Sequence, residues 1–339
     1  MVLSRFESPE GEIFSCYKAC RLCPRQCGID RTSGQKGFCG EGAHMRIAAI
    51  VAHHGEEPPI SGKRGSGAVF FAGCSLGCLF CQNHQISREG VGRVWSVQEV
   101  ADRLVELYEE SGIHNVNYVT SDHFFPHTME IANLLQERGV RIPVVHNLSG
   151  YQSLESLRMI ESASDIYLAD FKYGESALAQ SLARCADYPA VALEALSEMV
   201  RQKGFLDTFS GSDENLATWS QGESILSTAG KGVLVRHLIL PGYVENSLEV
   251  LKMLFLEFGR DLPLSLMSQY APVRRFPSGS PLNRRVTGKE FDMVLDYALE
   301  LGFRNLFVQY PDGEGESLPF LPDFRETDPF PATRAGREG

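Results

Sequence analysis

The sequence contains no long hydrophobic run and no large cluster of lysine and arginine. No apolar stretch in its 339 residues approaches the roughly 20 residues that a membrane-spanning helix requires. Residues 1–7 lack the apolar core of a signal peptide. The net charge of −11, without a concentrated basic patch, disfavours general binding to nucleic acid or to anionic membranes. These absences predict a soluble cytoplasmic protein with no membrane partner and no general affinity for nucleic acid.

Cysteine is scarce in most of the chain and concentrated near its start. Eight of the nine cysteines precede residue 82, and Cys185 stands alone. A disulfide scaffold would spread its cysteines more evenly and would normally be a short secreted chain. An odd, clustered set in a cytosolic protein is typical of metal binding. We therefore expect metal sites in the first quarter of the chain.

One cysteine group has the spacing C-x3-C-x2-C and follows the apolar run at 68–72. Its members are Cys74, Cys78 and Cys81. Three thiolates on a four-iron cluster leave one iron without a protein ligand, and an open metal position is typical of catalytic sites. The alternative is a zinc knuckle or buried thiols. Zinc knuckles usually supply a fourth ligand, and no obvious one follows, so the spacing favours a [4Fe–4S] cluster.

A second group, with the spacing C-x2-C-x3-C-x11-C, lies nearer the start of the chain. It consists of Cys20, Cys23, Cys27 and Cys39. Four ligands predict a closed, structural metal site, and four thiolates suit zinc and a second iron–sulfur cluster equally well. Thiols without metal are the remaining alternative. Cys16 repeats the triplet spacing with Cys20 and Cys23, so its role stays open.

Short apolar segments alternate with amphipathic stretches through the middle of the chain. They predict strands at 68–72, 115–119, 142–146, 165–169, 233–240, 263–267 and 305–309. Capping boxes at Ser96-x-x-Glu99 and Thr287-x-x-Glu290 predict the starts of two helices, which end at Gly112 and Gly302. Further helices are expected near 127–138, 152–162, 189–204 and 246–259. This alternation predicts a parallel sheet.

Polar residues recur after successive predicted strands, which distinguishes a barrel from an open doubly wound sheet. A barrel gathers such residues at the carboxyl ends of many strands, whereas a doubly wound sheet concentrates them at one switch point. We therefore predict a partial (β/α)6-type TIM barrel of parallel strands at 63–310. A small cysteine-rich metal-binding region at 1–62 precedes it, and a loop-like tail at 311–339 follows. Residues 205–232 are expected to form a surface excursion.

Two strand ends carry charged candidates. Asp170 and Lys172 follow the fourth predicted strand on one face, where they could act in the site or form an ordinary salt bridge. Arg236 and His237 alternate in the fifth strand, so one of them should face the barrel interior. A satisfied core histidine is the favoured interpretation of His237.

Several longer blocks carry a family resemblance. They are the Cys-Arg-Leu-Cys-Pro-Arg-Gln-Cys block at 20–27, the cysteine triplet, and the segments 55–62, 147–151, 165–173 and 236–242. With these blocks the chain resembles the radical S-adenosylmethionine (SAM) superfamily, and in particular its pyruvate formate-lyase activating enzyme-like branch. The resemblance extends from Cys20 to about Tyr270.

The resemblance implies a reaction and its cofactors. SAM would chelate the open iron of the cluster on Cys74, Cys78 and Cys81. An electron from a donor such as flavodoxin or ferredoxin would cleave it to a 5′-deoxyadenosyl radical. That radical would abstract hydrogen from a protein or peptide substrate, as a glycyl-radical activase does. A small metabolite or RNA as substrate is one alternative, and a non-catalytic iron–sulfur or zinc protein is another.

The resemblance also implies roles for individual residues. Asp170 and Lys172 match a pair that lies near SAM in the activases, and we assign them as catalytic. Most of the superfamily has a Gly-Gly-Glu type segment after the second strand, where this chain has Thr120-Ser121-Asp122. Thr120 or Asp122 is therefore expected to contact the SAM amino group. The complete cofactor-binding set predicted is Phe80, Thr120, Asp122, Asn147, Ser149 and Arg236.

Overall fold

A computed structural model gives the fold, and it describes residues 11–209, 215–218, 227–311 and 321–330. Parts of the predicted excursion at 205–232 and of the predicted tail at 311–339 lie outside these residues. Within them, no helix combines the length and the apolar character that crossing a membrane requires.

The described strands form one sheet. They are β1 (Arg46–His53), β2 (Ser66–Phe71), β3 (Arg93–Val94), β4 (Val116–Val119), β5 (Val144–Leu148), β6 (Ile166–Asp170), β7 (Asn215–Thr218), β8 (Gly232–Leu238), β9 (Leu264–Met267) and β10 (Asn305–Gln309). Their order is β3-β1-β2-β4-β5-β6-β8-β9-β10-β7. The pairs from β2 to β7 are parallel, whereas β1 runs antiparallel to β2 and to β3. The sheet does not close, so the predicted partial barrel of parallel strands is confirmed.

Helices connect most of the parallel strands. They are α1 (Pro58–Ser61), α2 (His84–Ser87), α3 (Val97–Ser111), α4 (Phe125–Glu137), α5 (Leu154–Met159), α6 (Ser176–Ala183), α7 (Tyr188–Lys203), α8 (Val244–Phe258) and α9 (Gly288–Leu301). A 3-10 helix at Glu12–Ala19 precedes them. The buried faces of α8 and α9 pack with strands β8–β10 in one core cluster. Every residue of β2, β4 and β9 is buried, as expected for strands covered on both faces.

Both predicted capping boxes are present. The Ser96 hydroxyl accepts the Glu99 backbone N–H at 3.2 Å, and the Glu99 carboxylate accepts the Ser96 N–H at 2.7 Å. Thr287 and Glu290 form the same reciprocal pair at the start of α9. A cap of this kind stabilises a helix by about 1 kcal/mol. Both helices end at the predicted glycines, which adopt left-handed φ angles.

Three strands appear where none was predicted, and one of them is the two-residue β3, which pairs with β1. Strand β1 lies within the predicted N-terminal region 1–62, yet its residues from Ile47 to His53 pair with β2. Strand β7 lies within the predicted excursion and adds to the sheet beside β10. The cysteine-rich region and the barrel therefore share one sheet. The division of the chain into domains at residue 62 stays a prediction.

Candidate active site

A cavity lies at the carboxyl ends of the parallel strands. The predicted site residues that line it are Cys74, Cys78, Phe80, Cys81, Thr120, Asn147, Ser149, Asp170, Lys172 and Arg236. They come from the ends of β2, β4, β5, β6 and β8 or from the loops that follow. Because the carboxyl ends of neighbouring parallel strands meet at one end of a barrel, residues far apart in the chain share this space.

The cysteine loop, residues 73–81, turns sharply after β2. Gly73 and Gly77 have φ angles of 83° and 78°, a left-handed conformation that favours glycine. A Cβ atom on Gly77 would lie only 1.2 Å from Nη2 of Arg88. The Arg88 side chain is exposed and could move aside, so the left-handed φ is the reason that the turn favours glycine at position 77. The turn brings three thiols to one wall of the cavity.

Each sulfur of the cysteine loop accepts a hydrogen bond. The Leu76 backbone N–H donates to Cys74 Sγ at 3.4 Å. The Tyr173 hydroxyl donates to Cys78 Sγ at 3.2 Å, and the Ser87 hydroxyl donates to Cys81 Sγ at 3.5 Å. Such donors stabilise thiolate character and orient sulfur ligands toward a metal.

Burial controls the protonation of these thiols. It raises the pKa of Cys74 to about 11, and the nearby Asp122 carboxylate adds to the effect. It also raises the pKa of Cys78 to about 12, against the opposing influence of Lys172. Both thiols are therefore protonated near neutral pH in the absence of metal, and binding iron must displace their protons.

The cysteine loop fits an iron–sulfur cluster with one open iron. In a four-iron cluster each thiolate binds a different iron, so three cysteines on one loop can hold three irons. The cavity beside them can admit a small ligand to the fourth. In the described part of the chain, no three His, Cys, Asp or Glu side chains are arranged to hold a single metal ion.

An ion pair lines the same cavity as this loop. The Lys172 ammonium donates to the Asp170 carboxylate, and both side chains are about one fifth exposed. Burial opposes the charge on Lys172, but the Asp170 carboxylate favours it and raises the pKa of the ammonium above its ordinary value. Lys172 therefore presents a permanent positive charge near the sulfurs.

The aromatic residue of the loop is held by its neighbours. Phe80 is buried and packs edge-to-face against Tyr173 and Tyr270, with ring centroids 6.3 Å and 6.1 Å away. Phe80 therefore gives the cavity a fixed apolar surface next to the cysteines.

Only one of the two candidates for the SAM amino group faces the cavity. Thr120 lines it with a φ of 58°, a strained conformation for a β-branched residue, and its N–H donates to the Asn147 carbonyl at 2.9 Å. Asp122 is buried outside the cavity, where its carboxylate accepts from the Ser75 hydroxyl. Asp122 therefore lies behind the cysteine loop and not among the residues that line the cavity.

Arg236 lines the cavity and forms hydrogen bonds to a pair of buried glutamates. This pair was not predicted from the sequence. The Nε atom of Arg236 donates to the two Glu57 oxygens at 2.9 Å and 3.1 Å, and its Nη2 donates to both Glu56 and Glu57. Glu56 and His53 line the same cavity. The segment 55–62 is one of the blocks that carry the family resemblance. Its carboxylates do not follow a predicted strand, so the sequence offers no reason to place them in the site.

A piece of the predicted tail forms part of the cavity wall. Pro322 and Phe330 line the cavity, and the Phe330 ring lies 4.5 Å from His53 and 5.2 Å from Phe70. The Gln85 side chain donates to Asp323 at 3.0 Å and accepts the Phe324 N–H at 2.7 Å. Residues 321–330 are therefore tied to the barrel, although they contain no helix or strand.

The N-terminal cysteines lie behind the cysteine loop. The Cys39 carbonyl accepts the Cys74 N–H at 3.3 Å. Cys20 Sγ accepts from Arg31 at 3.7 Å, whereas Cys27 is exposed and accepts the Phe38 N–H at 3.5 Å. Burial raises the pKa of Cys23, of Cys39 and, to about 11, of Cys16. No disulfide forms among the described cysteines.

Comparison with known proteins gives a family match and remote structural neighbours. The family model described as Radical SAM superfamily matches residues 68–254, more than half of the chain. The uncharacterized protein MJ0674 of Methanocaldococcus jannaschii is 25% identical over 289 residues, which cover 83% of this chain and 75% of that protein.

Two solved structures illustrate the structural neighbours. SuiB of Streptococcus suis is 10% identical with a TM-score of 0.46, covering 76% of this chain and 53% of SuiB. The FeFe-hydrogenase maturase HydG from Carboxydothermus hydrogenoformans is 12% identical with a TM-score of 0.44, covering 78% of this chain and 62% of HydG. The chain spans less than two thirds of the length of either protein.

Proposed function

The chain belongs to the radical SAM superfamily, and from that premise we propose that it abstracts a hydrogen atom from a protein or peptide substrate. It is an enzyme whose [4Fe–4S] cluster and SAM, when bound, supply one electron and a 5′-deoxyadenosyl radical. The non-catalytic alternative, in which an iron–sulfur or zinc protein acts by electron transfer or interaction alone, is therefore wrong.

One observation carries the assignment of the reaction to this cavity. The three thiols of the cysteine loop and the Asp170–Lys172 ion pair line the same space. Cys74, Cys78 and Cys81 would hold the cluster. Lys172 would offer its charge to a carboxylate of the bound cofactor, and Asp170 fixes the position of that ammonium.

The remaining wall would orient the cofactor and exclude water. Phe80 presents an apolar surface beside the cysteines, and Asn147 and Ser149 place polar groups at the end of β5. Leu148, Leu238 and Met267 complete an apolar lining. A dry cavity protects a reactive carbon radical from side reactions, so the apolar lining serves the reaction directly.

Two features support a protein or peptide as the source of the hydrogen atom. The blocks at 20–27, 147–151 and 165–173 resemble those of the activating enzymes, which act on proteins. The net charge of −11 disfavours RNA. An electron donor such as flavodoxin or ferredoxin would be the second protein partner in this proposal.

A small metabolite is the second candidate, because the C-terminal segment narrows the cavity. Pro322 and Phe330 contribute to its wall, and Phe324 is buried against the barrel. An enclosed site suits a small substrate, whereas an inserted peptide would need this segment to move aside.

Deuterium transfer would test the substrate class. The full chain, reconstituted anaerobically with iron and sulfide, would be incubated with SAM, a reductant and either deuterated cell protein or deuterated small metabolites from the same cells. We expect deuterium in 5′-deoxyadenosine only with the protein fraction. Deuterium from the metabolite fraction alone would replace the first candidate with the second, and no 5′-deoxyadenosine at all would contradict the radical reaction.

We also propose that Cys20, Cys23, Cys27 and Cys39 hold a structural metal, either zinc or a second iron–sulfur cluster. Four thiols in one short region and their position directly behind the cysteine loop support this proposal. In the described residues these thiols do not converge on a single point, so binding one zinc ion would require them to move closer together. Measuring zinc, iron and sulfide in protein purified without oxygen would test it. About four irons per chain and no zinc would leave the N-terminal cysteines without metal.

A further inference from the structure

The cavity contains a carboxylate pair with a surplus of negative charge. Glu56 and Glu57 share the single guanidinium of Arg236. Among the described residues, no other Lys, Arg or His side chain forms an ion pair with either glutamate. Glu57 is fully buried, whereas Glu56 lines the cavity. One negative charge is therefore left without a partner, and the carboxylate that faces the cavity is Glu56.

Glu56 is ionised at neutral pH. Burial alone would raise its pKa, but Arg236 outweighs burial and His53 adds to the effect, so the pKa of the carboxyl lies below its ordinary value. The side-chain amide of Asn117 also donates to Glu56 Oε1 at 2.7 Å. Burying two carboxylates that share one guanidinium is costly unless a ligand supplies the second positive charge.

In the part of the chain that the structure describes, two side chains near the Glu56 carboxylate each have a buried polar atom without a hydrogen-bond partner. Nδ1 of His53 and Oδ1 of Asn117 have no hydrogen-bond partner among the described residues, and both side chains are more than nine-tenths buried. His53 lines the cavity beside Glu56. Buried polar atoms are normally satisfied. Oδ1 of Asn117, and Nδ1 of His53 when Nε2 carries the ring proton, can therefore each accept a donor that the polypeptide does not supply.

We infer that the part of the cavity around Glu56 and His53 binds a primary ammonium group, carried either by the substrate or by the methionine end of SAM. An ammonium supplies one positive charge and three N–H donors, which match the surplus charge and the free acceptors. An anion is disfavoured because two carboxylates already occupy the guanidinium of Arg236. A neutral ligand would leave the charge unbalanced.

The depth of the site favours the substrate as the carrier. The cysteine loop follows the carboxyl end of β2, whereas Glu56 contacts Asn117, the second residue of β4. Glu56 therefore reaches below the level at which the cluster ligands leave the sheet. This inference rests on the proposed function, because it assumes that the cavity holds SAM and a substrate together.

Titrations with the full, anaerobically reconstituted protein would test the inference without turnover. SAM and its analogue without the α-amino group would be titrated into the unmodified protein and into Glu56→Gln, which keeps the shape of the side chain and removes its charge. The same proteins, loaded with SAM, would be titrated with n-propylammonium and with n-propanol as the neutral match. Glu198→Gln is the matched control, because Glu198 is a buried carboxylate that pairs with Arg201 and lies outside the cavity.

Each source of the ammonium predicts a distinct result. If the substrate carries it, n-propylammonium but not n-propanol binds the SAM complex, Glu56→Gln weakens that binding about tenfold or more, and SAM affinity is unchanged. If SAM carries it, the analogue binds the unmodified protein about tenfold or more weakly than SAM does, and Glu56→Gln removes the difference. In both cases Glu198→Gln leaves the affinities unchanged.

Other results would overturn the inference. Equal binding of SAM and its analogue, together with no preference for n-propylammonium over n-propanol, would show that no ammonium site exists. Equal losses in Glu56→Gln and Glu198→Gln would assign the effect to a general loss of stability. The ligand comparisons in the unmodified protein remain decisive if a variant does not fold. Because 5′-deoxyadenosine is measured separately, a failure of the radical reaction is distinguishable from a failure of ammonium binding.

Discussion

The two cysteine groups of this chain lie back to back and differ in what surrounds them. The sulfurs of the cysteine loop border a cavity, and each accepts a hydrogen bond from a neighbouring group. The N-terminal cysteines lie behind that loop, outside the wall described for the cavity. The Cys39 carbonyl, rather than its sulfur, makes the contact with Cys74.

The difference shows that cysteine spacing alone does not decide which thiols line a cavity. The run Cys16-x3-Cys20-x2-Cys23 has the same spacing as the cysteine loop. Only the loop at 73–81 follows a buried parallel strand, so only its thiols reach the end of the barrel where a ligand can enter. The position of a motif in the fold thus supplies the information that its spacing lacks.

The strongest test of the comparison removes one ligand from the cysteine loop. Cys78→Ala should abolish cluster-dependent cleavage of SAM while leaving the barrel folded, because two thiols cannot hold the cluster in place. Measurement of 5′-deoxyadenosine and of the circular dichroism spectrum would check both parts. Cys185→Ala is the matched control, since Cys185 is buried outside the cavity. Cleavage retained in Cys78→Ala would refute the ligand assignment.

Removing a proposed ligand from the other group should have the opposite balance of effects. Cys23→Ala is expected to lower the free energy of unfolding by roughly 2–4 kcal/mol, as loss of a structural metal does. The visible and EPR spectra of the catalytic cluster should change little. Chemical unfolding of the metal-loaded protein, alongside those spectra, would measure this. A stable variant with an altered catalytic cluster would mean that the N-terminal metal takes part in the reaction.

A third change should affect only the catalytic side of the comparison. Lys172→Met should lower the rate of SAM cleavage roughly 10- to 100-fold, because it removes a charge-assisted contact in the cavity. The pKa of Lys172 is raised above its ordinary value, so its charge is fully present at neutral pH and is lost only in more alkaline solution.

The rate of the unmodified enzyme should therefore show no loss from Lys172 deprotonation between pH 6 and pH 9, a range that lies below the ordinary lysine pKa of 10.5. Lys252→Met is the control, because Lys252 is exposed on α8 and, within the described part of the chain, forms an ion pair with Glu249 alone. An unchanged rate in Lys172→Met would remove this residue from the catalytic machinery.

Local sequence signals were sufficient for most of the barrel. Strand β10 has the predicted bounds, and β2 and β6 differ from the predictions by one or two residues. The strands are short apolar segments between turn residues, and the capping boxes define α3 and α9 by direct side-chain contacts. His237 is a buried histidine whose ring bonds to Phe171 and Ser247, as its position in a strand suggested.

What the sequence could not supply depends on contacts between distant segments. Glu56 and His53 enter the cavity from β1 and the loop after it, an antiparallel strand to which the rule about strand ends does not apply. Residues 321–330 are held at the cavity by hydrogen bonds to Gln85, which lies about 240 positions earlier in the chain. Neither contact leaves a periodic pattern, because each depends on the tertiary fold and not on local preference.

The smallest expected effect concerns the residue that joins the two cysteine groups. Arg25 belongs to the N-terminal block, yet its guanidinium donates to the Ser75 and Leu76 carbonyls of the cysteine loop at 3.0 Å and 3.2 Å. It also donates to the carbonyls of Ala183, the last residue of α6, and of Arg184, which follows it. One planar side chain thus fixes the loop against two other parts of the chain.

Arg25→Lys keeps the charge but loses the planar fork that reaches several carbonyls at once. We expect it to lower the free energy of unfolding by about 1–2 kcal/mol and to slow SAM cleavage less than Lys172→Met does. Arg21→Lys, an exposed position in the same block, should change neither quantity. If Arg25→Lys were as stable as the unmodified protein but lost cleavage, the contact would tune the catalytic site alone. The two cysteine groups would then be mechanically independent, because rigid attachment of the loop to the N-terminal region must appear in stability as well as in rate.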